Sequence, residues 1–302
     1  MSSPLSIAVL ITNYNTWEFT HRCVEKIYEY GVDRIEKIVI VDDASTHTCQ
    51  KEFPSMVEVV RNEKNCGYVA SVNIGMQYIR EDLVVLLDSD AYPVMNIFET
   101  LTQNFVEDPS LGAMSLHLVD EKGQVTGNHE RVPNCWGLIL GQKIYGKLRG
   151  KRKENAPFVC YSCGVVIRRE AFFSIDGFDE SFDFLDGDID FFMRLRLKGW
   201  RLKISNDLRV FHVGGGSPQS TAKRVLRFYR NRYKFLDKHK LLPTKYILHP
   251  ILFLRHLAEY ILLCSLGIFL YKDREILKDK KKSRKLLLKK VWCGYESIYG
   301  RA

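Results

Sequence analysis

The chain of 302 residues lacks the features that mark several common protein classes. Residues 1–4 do not show the charged, apolar and small-residue order of a secretory signal. The longest nearly apolar stretch, 257–271, has 15 residues, whereas a helix needs roughly 20 to cross a bilayer. We therefore expect this stretch to be a buried or interfacial helix. The protein is expected to be cytoplasmic and at most peripheral at the inner face of the cell membrane.

The sequence also lacks the cysteine spacing of a structural zinc site. Eight cysteines occur, but only Cys160 and Cys163 form a CxxC pair. Such a site requires a second pair or histidines at suitable spacing, and the sequence provides neither. Because disulfide bonds are rare in reducing compartments, we expect reduced thiols in a cytosolic protein.

Net positive charge is confined to the last quarter of the chain. Residues 223–302 contain 21 Lys and Arg against 6 Asp and Glu, a net +15, and the rest of the chain carries −6. A basic segment of this kind suits an anionic surface such as lipid head groups or nucleic acid, or forms a solvated helix. The acidic first part is poorly suited to a phosphate backbone, so we expect no nucleic-acid substrate.

Short apolar runs alternate with helical patterns over the first 110 residues. Amphipathic spacing in 16–30 and helical spacing in 70–79 predict two of the helices. The pattern predicts an α/β doubly wound domain with right-handed crossovers, followed after residue 110 by mixed strand and loop material and by a basic helix over 223–239. The runs typical of strands buried on both faces of a parallel sheet are 5–12, 37–41, 57–60 and 83–87.

Polar residues end three of these predicted strands: Thr12, Asp43 and the triplet Asp88-Ser89-Asp90. A doubly wound sheet binds its ligand beyond the carboxyl ends of the strands, so we expect these residues to meet in one crevice. Two carboxylates one residue apart can share Mg²⁺ or Mn²⁺ with the diphosphate of a ligand, although such triplets also occur as acidic surface turns.

A second group of acids lies near the start of a predicted helix that Gly199 is expected to end. Asp186, Asp188 and Asp190 fall within five residues there. A carboxylate in this position is often only a helix cap, but such a group could also provide a general base. Further along, His212 precedes the glycines of 214–216 and is either structural or a metal ligand.

The order and spacing of these elements resemble one family. Over about residues 5–240 the chain is similar to inverting nucleotide-sugar glycosyltransferases of family 2, most closely their rhamnosyltransferase-like branch. The resemblance implies the GT-A fold, a Rossmann-like nucleotide-binding sheet with helices on both faces, plus a C-terminal helical extension. The motifs that carry it are Ile11-Thr12-Asn13-Tyr14-Asn15, Val41-Asp42-Asp43-Ala44-Ser45, Asn62-x-x-Asn65-Cys66-Gly67-Tyr68, Asn73-x-Gly75, Asp88-Ser89-Asp90, Gly177-Phe178-Asp179-Glu180, Asp188-x-Asp190, His212-x-x-Gly215-x-Ser217 and the segment 228–239.

The resemblance assigns roles to individual residues. Asp90 is expected to be the principal ligand of Mg²⁺ or Mn²⁺, with His212 as the second ligand. Asp43 is expected to accept a hydrogen bond from a pyrimidine base, and Asp88 to lie near the ribose and diphosphate. The residues expected to bind the nucleotide are Thr12, Tyr14, Asp43, Asn65, Asn73, Asp88 and Ser89.

The resemblance also assigns the catalytic base, with one departure from the family pattern. Asp188 matches the acid of the Glu-Asp motif that serves as the base, but Gly187 stands where the motif usually has Glu. Asp186, one residue earlier, could compensate. The base is therefore expected to be Asp188 or Asp186.

The expected partners and domains follow from the same resemblance. The donor is expected to be a UDP- or dTDP-sugar and the acceptor a saccharide or lipid-linked saccharide, in surface polysaccharide or glycolipid assembly. A homodimer and contact with an anionic membrane surface are further expectations. The predicted catalytic domain is 1–222, with a nucleotide-sugar half to about 110 and an acceptor half over 111–222, and the basic helical extension is 223–302.

Three other functions were weighed. A nucleotidylyltransferase would carry a loop rich in Gly, Arg and Lys after the first strand, where this chain has Thr12-Asn13-Tyr14-Asn15. A nicotinamide dehydrogenase would carry G-x-G-x-x-G there. A nucleic-acid-binding module could use the basic, aromatic C-terminal segment, and an assay of donor hydrolysis without nucleic acid separates it from the enzyme.

Overall fold

The computed structural model describes residues 5–150, 156–182, 186–213 and 221–291. The chain divides into two compact units: a sheet unit of residues 1–132 and 157–216, and a helical unit of residues 133–156 and 217–302. Gly215 and Ser217 of the predicted His212 motif, and Cys293, lie outside the described residues. The predicted division at residue 222 stays a prediction, and the helical unit also includes 133–156.

Strands and helices alternate along the sheet unit. Its strands are β1 (Ile7–Asn13), β2 (Lys37–Asp42), β3 (Val57–Arg61), β4 (Leu83–Asp88), β5 (Ala91–Pro93), β6 (Leu111–Val119), β7 (His129–Arg131), β8 (Phe158–Cys160), β9 (Val165–Arg168) and β10 (Arg201–His212). Its α-helices are α1 (Trp17–Gly31), α2 (Tyr68–Gln77), α3 (Phe98–Glu107), α6 (Arg169–Phe173) and α7 (Gly187–Lys198). The helical unit contains α4 (Cys135–Leu140), α5 (Gln142–Arg149), α8 (Thr221–Lys238), α9 (Lys245–Ser265), α10 (Gly267–Leu270) and α11 (Arg274–Lys290).

Eight strands form one mixed sheet in the order β3-β2-β1-β4-β9-β6-β10-β5, and β7 pairs with β8 in a separate ribbon. The first four strands are parallel and correspond to the four predicted apolar runs. The second half departs from the predicted parallel sheet, because β9 is antiparallel to both of its neighbours and β5 is antiparallel to β10. The α/β fold with C-terminal helices is confirmed.

Close packing of α2 on the sheet explains the Asn73-x-Gly75 motif. A Cβ atom at Gly75 would lie 2.8 Å from Cγ2 of Val41 and closer still to Leu10. Atoms at such distances overlap, so a side chain there would force the helix away from β1 and β2. Glycine at position 75 therefore allows α2 to pack directly on β1 and β2. The helix begins at Tyr68, beside the carboxyl edge of the sheet.

The helical unit is held together by a buried ionic network. The Glu259 carboxylate on α9 accepts a hydrogen bond from Arg255 at 3.0 Å and forms an ion pair with Arg284 on α11 at 2.5 Å. Burial alone would raise the pKa of Glu259, but His256, Arg284 and Arg255 outweigh it and lower the pKa to about 2. The ring of Tyr229 on α8 packs edge-on against His256. The network thus joins three helices.

The prediction of one apolar helix over 257–271 is wrong, because α9 runs over Lys245–Ser265 and a separate short helix follows it. By length and composition alone, α9 could cross a membrane, although most of its apolar part is exposed. Arg255, His256 and Glu259 interrupt the apolar pattern because they belong to the buried network.

Candidate active site

The carboxyl ends of β1, β2 and β4 meet at one edge of the sheet. Thr12 of β1 is in register with Val41 of β2 on one side and with Asp88 of β4 on the other. Just beyond the strands, the Ser89 hydroxyl lies 2.8 Å from that of Thr16, which precedes α1. The predicted strand ends therefore lie together at one edge of the sheet, and Ser89 contacts the residue that precedes α1.

Asp43 is a buried hydrogen-bond acceptor at this edge. Its Oδ1 accepts from the side chain of Asn62 at 3.0 Å and from the backbone N–H of Cys66 at 2.8 Å, and its Oδ2 accepts from the N–H of Gly67 at 2.9 Å. Burial raises the pKa of Asp43, but these hydrogen bonds outweigh it and lower the pKa overall. The ionised carboxylate keeps acceptor capacity at Oδ2, as recognition of a base N–H requires.

Three other predicted nucleotide residues differ in their surroundings. Tyr14 and Asn65 are exposed. Asn73 instead has a structural role, because its side-chain amide donates to the backbone of Phe178 and to Glu180, both at 2.9 Å, and accepts from the Phe178 N–H. The amide of Asn73 therefore holds the Gly177-Phe178-Asp179-Glu180 motif against α2, and its nucleotide role stays a prediction.

The two acids of the triplet face a histidine across the edge. Nε2 of His212 lies 3.4 Å from Oδ1 of Asp90 and 3.9 Å from Oδ2 of Asp88. Antiparallel pairing of β5 with β10 sets His212 opposite Ala91 and so brings it there. The hydrogen bond to Asp90 raises the pKa of His212, against the opposing effect of burial.

The charge and hydrogen bonding of Asp88 fit a cation site. Among the described residues, its buried Oδ1 atom has no hydrogen-bond partner. Burial, together with the neighbouring charge of Asp90, raises its pKa to about 6 despite the opposing effect of His212. A divalent cation held by Asp88, Asp90 and His212 would satisfy this oxygen and neutralise the clustered charge. The donor set is the one that Mg²⁺ or Mn²⁺ accepts, with two carboxylates and one imidazole.

The acids at the start of α7 have different surroundings. Asp190 is fully buried and forms a 2.7 Å ion pair with Arg194, which also donates to the backbone oxygens of Ile175 and Gly177. This makes Asp190 a structural residue. Asp186 precedes the helix in a left-handed conformation, with φ of 62°. The helix ends at Gly199 as predicted.

Asp188 lies in the first turn of α7 and has the electrostatics of a proton acceptor. Burial and the nearby charge of Asp186 raise its pKa to about 7, against the effect of backbone N–H groups, including that of Ile189 at 2.8 Å. General bases work best when the pKa lies near the working pH. The structure therefore gives Asp188, rather than Asp190, the properties of a base.

The departure at Gly187 has a steric reason. A Cβ atom there would lie 3.0 Å from Cγ2 of Val69 on α2 and 3.3 Å from Cβ of Phe182. Little room remains for a larger side chain at the position where the resemblance leads us to expect Glu. Glycine at this position allows the start of α7 to approach α2 closely.

Tyr68 and Cys163 also belong to the site, although neither was predicted to have a role in it. The buried Tyr68 side chain at the start of α2 has its pKa raised well above the usual value by burial and by the charges of both Asp88 and Asp188. Asp88 and Asp188 therefore lie on one site. Cys163 lies beside Asp88 and His212. Tyr68 is the last residue of the motif Asn62-x-x-Asn65-Cys66-Gly67-Tyr68, whereas Cys163 belongs to the CxxC pair that lacks the spacing of a structural zinc site.

The α/β sheet thus carries an acidic triplet and a histidine at its carboxyl edge, with the raised-pKa carboxylate of Asp188 on the same site. The sequence profile described as "Glycosyl transferase family 2" matches residues 8–174. The chain belongs to this family. Membership of the family agrees with the resemblance, and the rhamnosyltransferase-like branch stays a prediction.

Curated relatives agree with the family. Glycosyltransferase GlyG of Streptococcus pneumoniae serotype 4 is 30% identical over 178 residues, covering 55% of this chain and 58% of the relative. Poly-beta-1,6-N-acetyl-D-glucosamine synthase of Staphylococcus aureus (strain COL) is 29% identical over 210 residues, covering 65% of this chain and 47% of the relative. This chain thus spans about half the length of these relatives.

Solved structures agree with the fold. A mannosyltransferase from Pyrobaculum calidifontis, in complex with GDP-Man and Mn²⁺, aligns with 97% of this chain and 87% of its own at a TM-score of 0.58 and 16% identity. GalNAc-T7 with UDP, GalNAc and Mn²⁺ aligns with 82% of this chain and 57% of its own at a TM-score of 0.56 and 17% identity. At this identity the likeness shows the GT-A fold alone.

Proposed function

We propose that the protein moves a sugar from a nucleotide-diphosphate donor to an acceptor hydroxyl in a single displacement that inverts the anomeric carbon. The observation that carries this proposal is the close packing of the start of α7, which contains Asp188, against α2 at Val69, and burial there raises the pKa of Asp188 to about 7. Asp188 accepts the proton of the acceptor hydroxyl as that oxygen attacks the sugar. One base is sufficient for a single displacement, so no covalent nucleophile is required.

The donor side of the site is held by the residues at the sheet edge. Asp88, Asp90 and His212 would hold Mg²⁺ or Mn²⁺, which neutralises the charge that develops on the leaving diphosphate. Asp43 is ionised and accepts an N–H of the base, as uracil or thymine can provide. These contacts support a UDP- or dTDP-sugar as the donor.

A donor-hydrolysis screen tests the proposal directly. Purified protein is incubated with UDP-, dTDP- and GDP-sugars, with Mn²⁺ or Mg²⁺ and without nucleic acid, and release of the nucleoside diphosphate is measured. We expect release from a UDP- or dTDP-sugar that depends on the cation. Release from none of the donors under either cation, with a folded protein, would contradict the proposed function.

The rate should depend on pH through Asp188. A base must be deprotonated to act, so with a pKa of about 7 the single-turnover rate is expected to fall about tenfold per pH unit below 7 and to level off above it. The Asp188→Asn variant should lack this inflection. A wild-type rate that is flat from about pH 5 to 8 would argue against Asp188 as the base.

We further propose that the helical unit binds an anionic membrane surface during assembly of a polysaccharide or glycolipid on a lipid-linked acceptor. The support is an exposed apolar set on α9 and α10, in which the Phe269 side chain is 84% exposed and Leu254 is 64% exposed, close in sequence to the lysines of α11. Apolar insertion and lysine attraction to anionic lipid act together. A homodimer that covers the same apolar side chains is the competing explanation.

Charge reversal on α11 tests the membrane proposal. Lysines near an anionic bilayer contribute about 1 kcal/mol each, so Lys282→Glu/Lys285→Glu/Lys289→Glu is expected to weaken binding to phosphatidylserine-containing vesicles by about 10²-fold or more. Co-sedimentation at low and high salt measures the effect. Phe269→Ser should reduce binding at both salt concentrations, and Leu148→Ser on α5 is the exposed apolar control. No binding by the wild type at low salt would contradict the proposal.

A further inference from the structure

A soft ligand atom lies beside the acidic triplet. Three possible ligand atoms lie within 4.8 Å of one another: a carboxylate oxygen of Asp88, Sγ of Cys163 and a ring nitrogen of His212. The three residues come from different parts of the sheet: Asp88 ends β4, His212 ends β10, and Cys163 lies two residues before the start of β9. Because β9 is antiparallel to β4, its first residues lie next to the end of β4.

The backbone around Cys163 is held in place. Gly164 has a φ of 63°, and a Cβ atom there would lie 2.8 Å from Cδ2 of Leu118, so glycine is needed at this position. The buried side chain of Asn128 donates to the backbone oxygens of Cys163 at 2.6 Å and of Gly164 at 2.9 Å. The sulfur is therefore fixed next to Asp88 before any ion arrives, which lowers the cost of binding one.

The three ligand types match zinc better than manganese or magnesium. Zn²⁺ takes cysteine sulfur, histidine nitrogen and carboxylate oxygen, with three protein ligands and an open fourth position in catalytic sites. Mg²⁺ and Mn²⁺ prefer oxygen, and divalent affinities at mixed sites rise steeply from Mn²⁺ to Zn²⁺. The ligands are 75 and 49 residues apart in sequence, so a rule based on local cysteine spacing does not detect them.

We propose that Asp88, Cys163 and His212 form a zinc site that competes with the catalytic cation. Binding forms a sulfur–zinc bond, the thiol proton leaves to solvent, and nothing is oxidised or reduced. Zinc then occupies two residues that the proposed function assigns to Mg²⁺ or Mn²⁺, and its inhibitory effect on transfer rests on that function. Zinc binding itself does not.

Cobalt titration of the full-length protein without donor tests the site. Co²⁺ reports a thiolate ligand through a sulfur-to-metal charge-transfer band in the near ultraviolet, and Zn²⁺ affinity is then measured by displacement of Co²⁺. The variants are Cys163→Ser, Cys163→Ala and, as the matched control, Cys160→Ser, which changes another buried cysteine three residues away.

We expect the band in the wild type and in Cys160→Ser and no band in the two Cys163 variants. Loss of the thiolate is expected to weaken Zn²⁺ binding about 100-fold while Mn²⁺ binding changes less than about threefold, because sulfur is a soft ligand. Transfer rates are normalised to the rate that each protein reaches with Mn²⁺. The Zn²⁺ concentration that inhibits the wild type should then be about 100-fold lower than the concentration that inhibits the Cys163 variants.

Two results would overturn the proposal: no charge-transfer band in the folded wild type, or equal losses of Zn²⁺ and Mn²⁺ affinity in the Cys163 variants. If those variants do not fold, X-ray absorption spectroscopy of zinc bound to the wild type tests the site instead. A zinc coordination shell without sulfur would overturn the proposal, and a shell with one sulfur ligand would support it. If the donor screen fails but the cobalt band is present, the proposed function is contradicted and the zinc site is supported.

Discussion

The Asp188→Asn variant is expected to transfer sugar about 10²–10⁴-fold more slowly than the wild type while binding the donor almost equally well. The substitution keeps the shape of the side chain and removes the proton acceptor. In the proposed function donor affinity depends on the other acids, Asp43, Asp88 and Asp90, so we expect it to change little. Single-turnover transfer and equilibrium titration of the donor separate the two effects.

The neighbouring aspartates are the controls for this experiment. Asp186→Asn removes a like charge whose effect is to raise the pKa of Asp188, so the inflection in the pH–rate profile should move to lower pH while much of the maximal rate remains. Asp190→Asn breaks a buried ion pair with Arg194 and should mainly lower stability. A large loss of rate in Asp186→Asn with none in Asp188→Asn would make Asp186 the base.

The second large effect is expected for Asp90→Asn. Replacing this carboxylate should weaken Mn²⁺ binding by more than the roughly 10–100-fold that loss of an outer-shell partner costs. Wild-type transfer should stop in excess chelator and return when Mn²⁺ or Mg²⁺ is added. Calorimetric titration of Mn²⁺ into the protein without donor measures the affinity directly.

Ser89→Ala provides the matched control for the metal experiment. Ser89 lies between the two acids, but its hydroxyl contacts Thr16 at 2.8 Å, so its loss should leave Mn²⁺ affinity within about threefold. Undiminished wild-type turnover in excess chelator would contradict a catalytic role for the cation. Equal losses of Mn²⁺ affinity in Ser89→Ala and Asp90→Asn would show that the turn, rather than one carboxylate, carries the effect.

The sequence was most informative where the chain is locally regular. The buried strands were predicted from apolar runs, because residues buried on both faces leave no polar alternation. Their ends then placed Thr12, Asp43 and Asp88 at one edge, because parallel strands share the direction of the ligand-binding end. Both inferences need only short stretches of sequence, and the structure agrees with them.

Long-range arrangement was not predictable in the same way. No local pattern shows that β9 is inserted antiparallel between β4 and β6, and that insertion is what brings Cys163 to Asp88. The structural role of Asn73 depends on a partner 105 residues away, the backbone of Phe178. The steric reason for Gly187 lies on α2, at Val69. Each of these depends on which distant segments meet.

The position of β9 in the sheet also has a consequence for how the chain folds. The edge of β4 at Leu83–Leu86 stays unpaired until residues 165–168 have been synthesised, because β9 is the strand that covers it. An unpaired apolar edge is a template for pairing with other chains, and distant pairings form slowly. A fragment that ends near residue 110 would therefore expose this edge, and we expect it to aggregate more readily than the full chain.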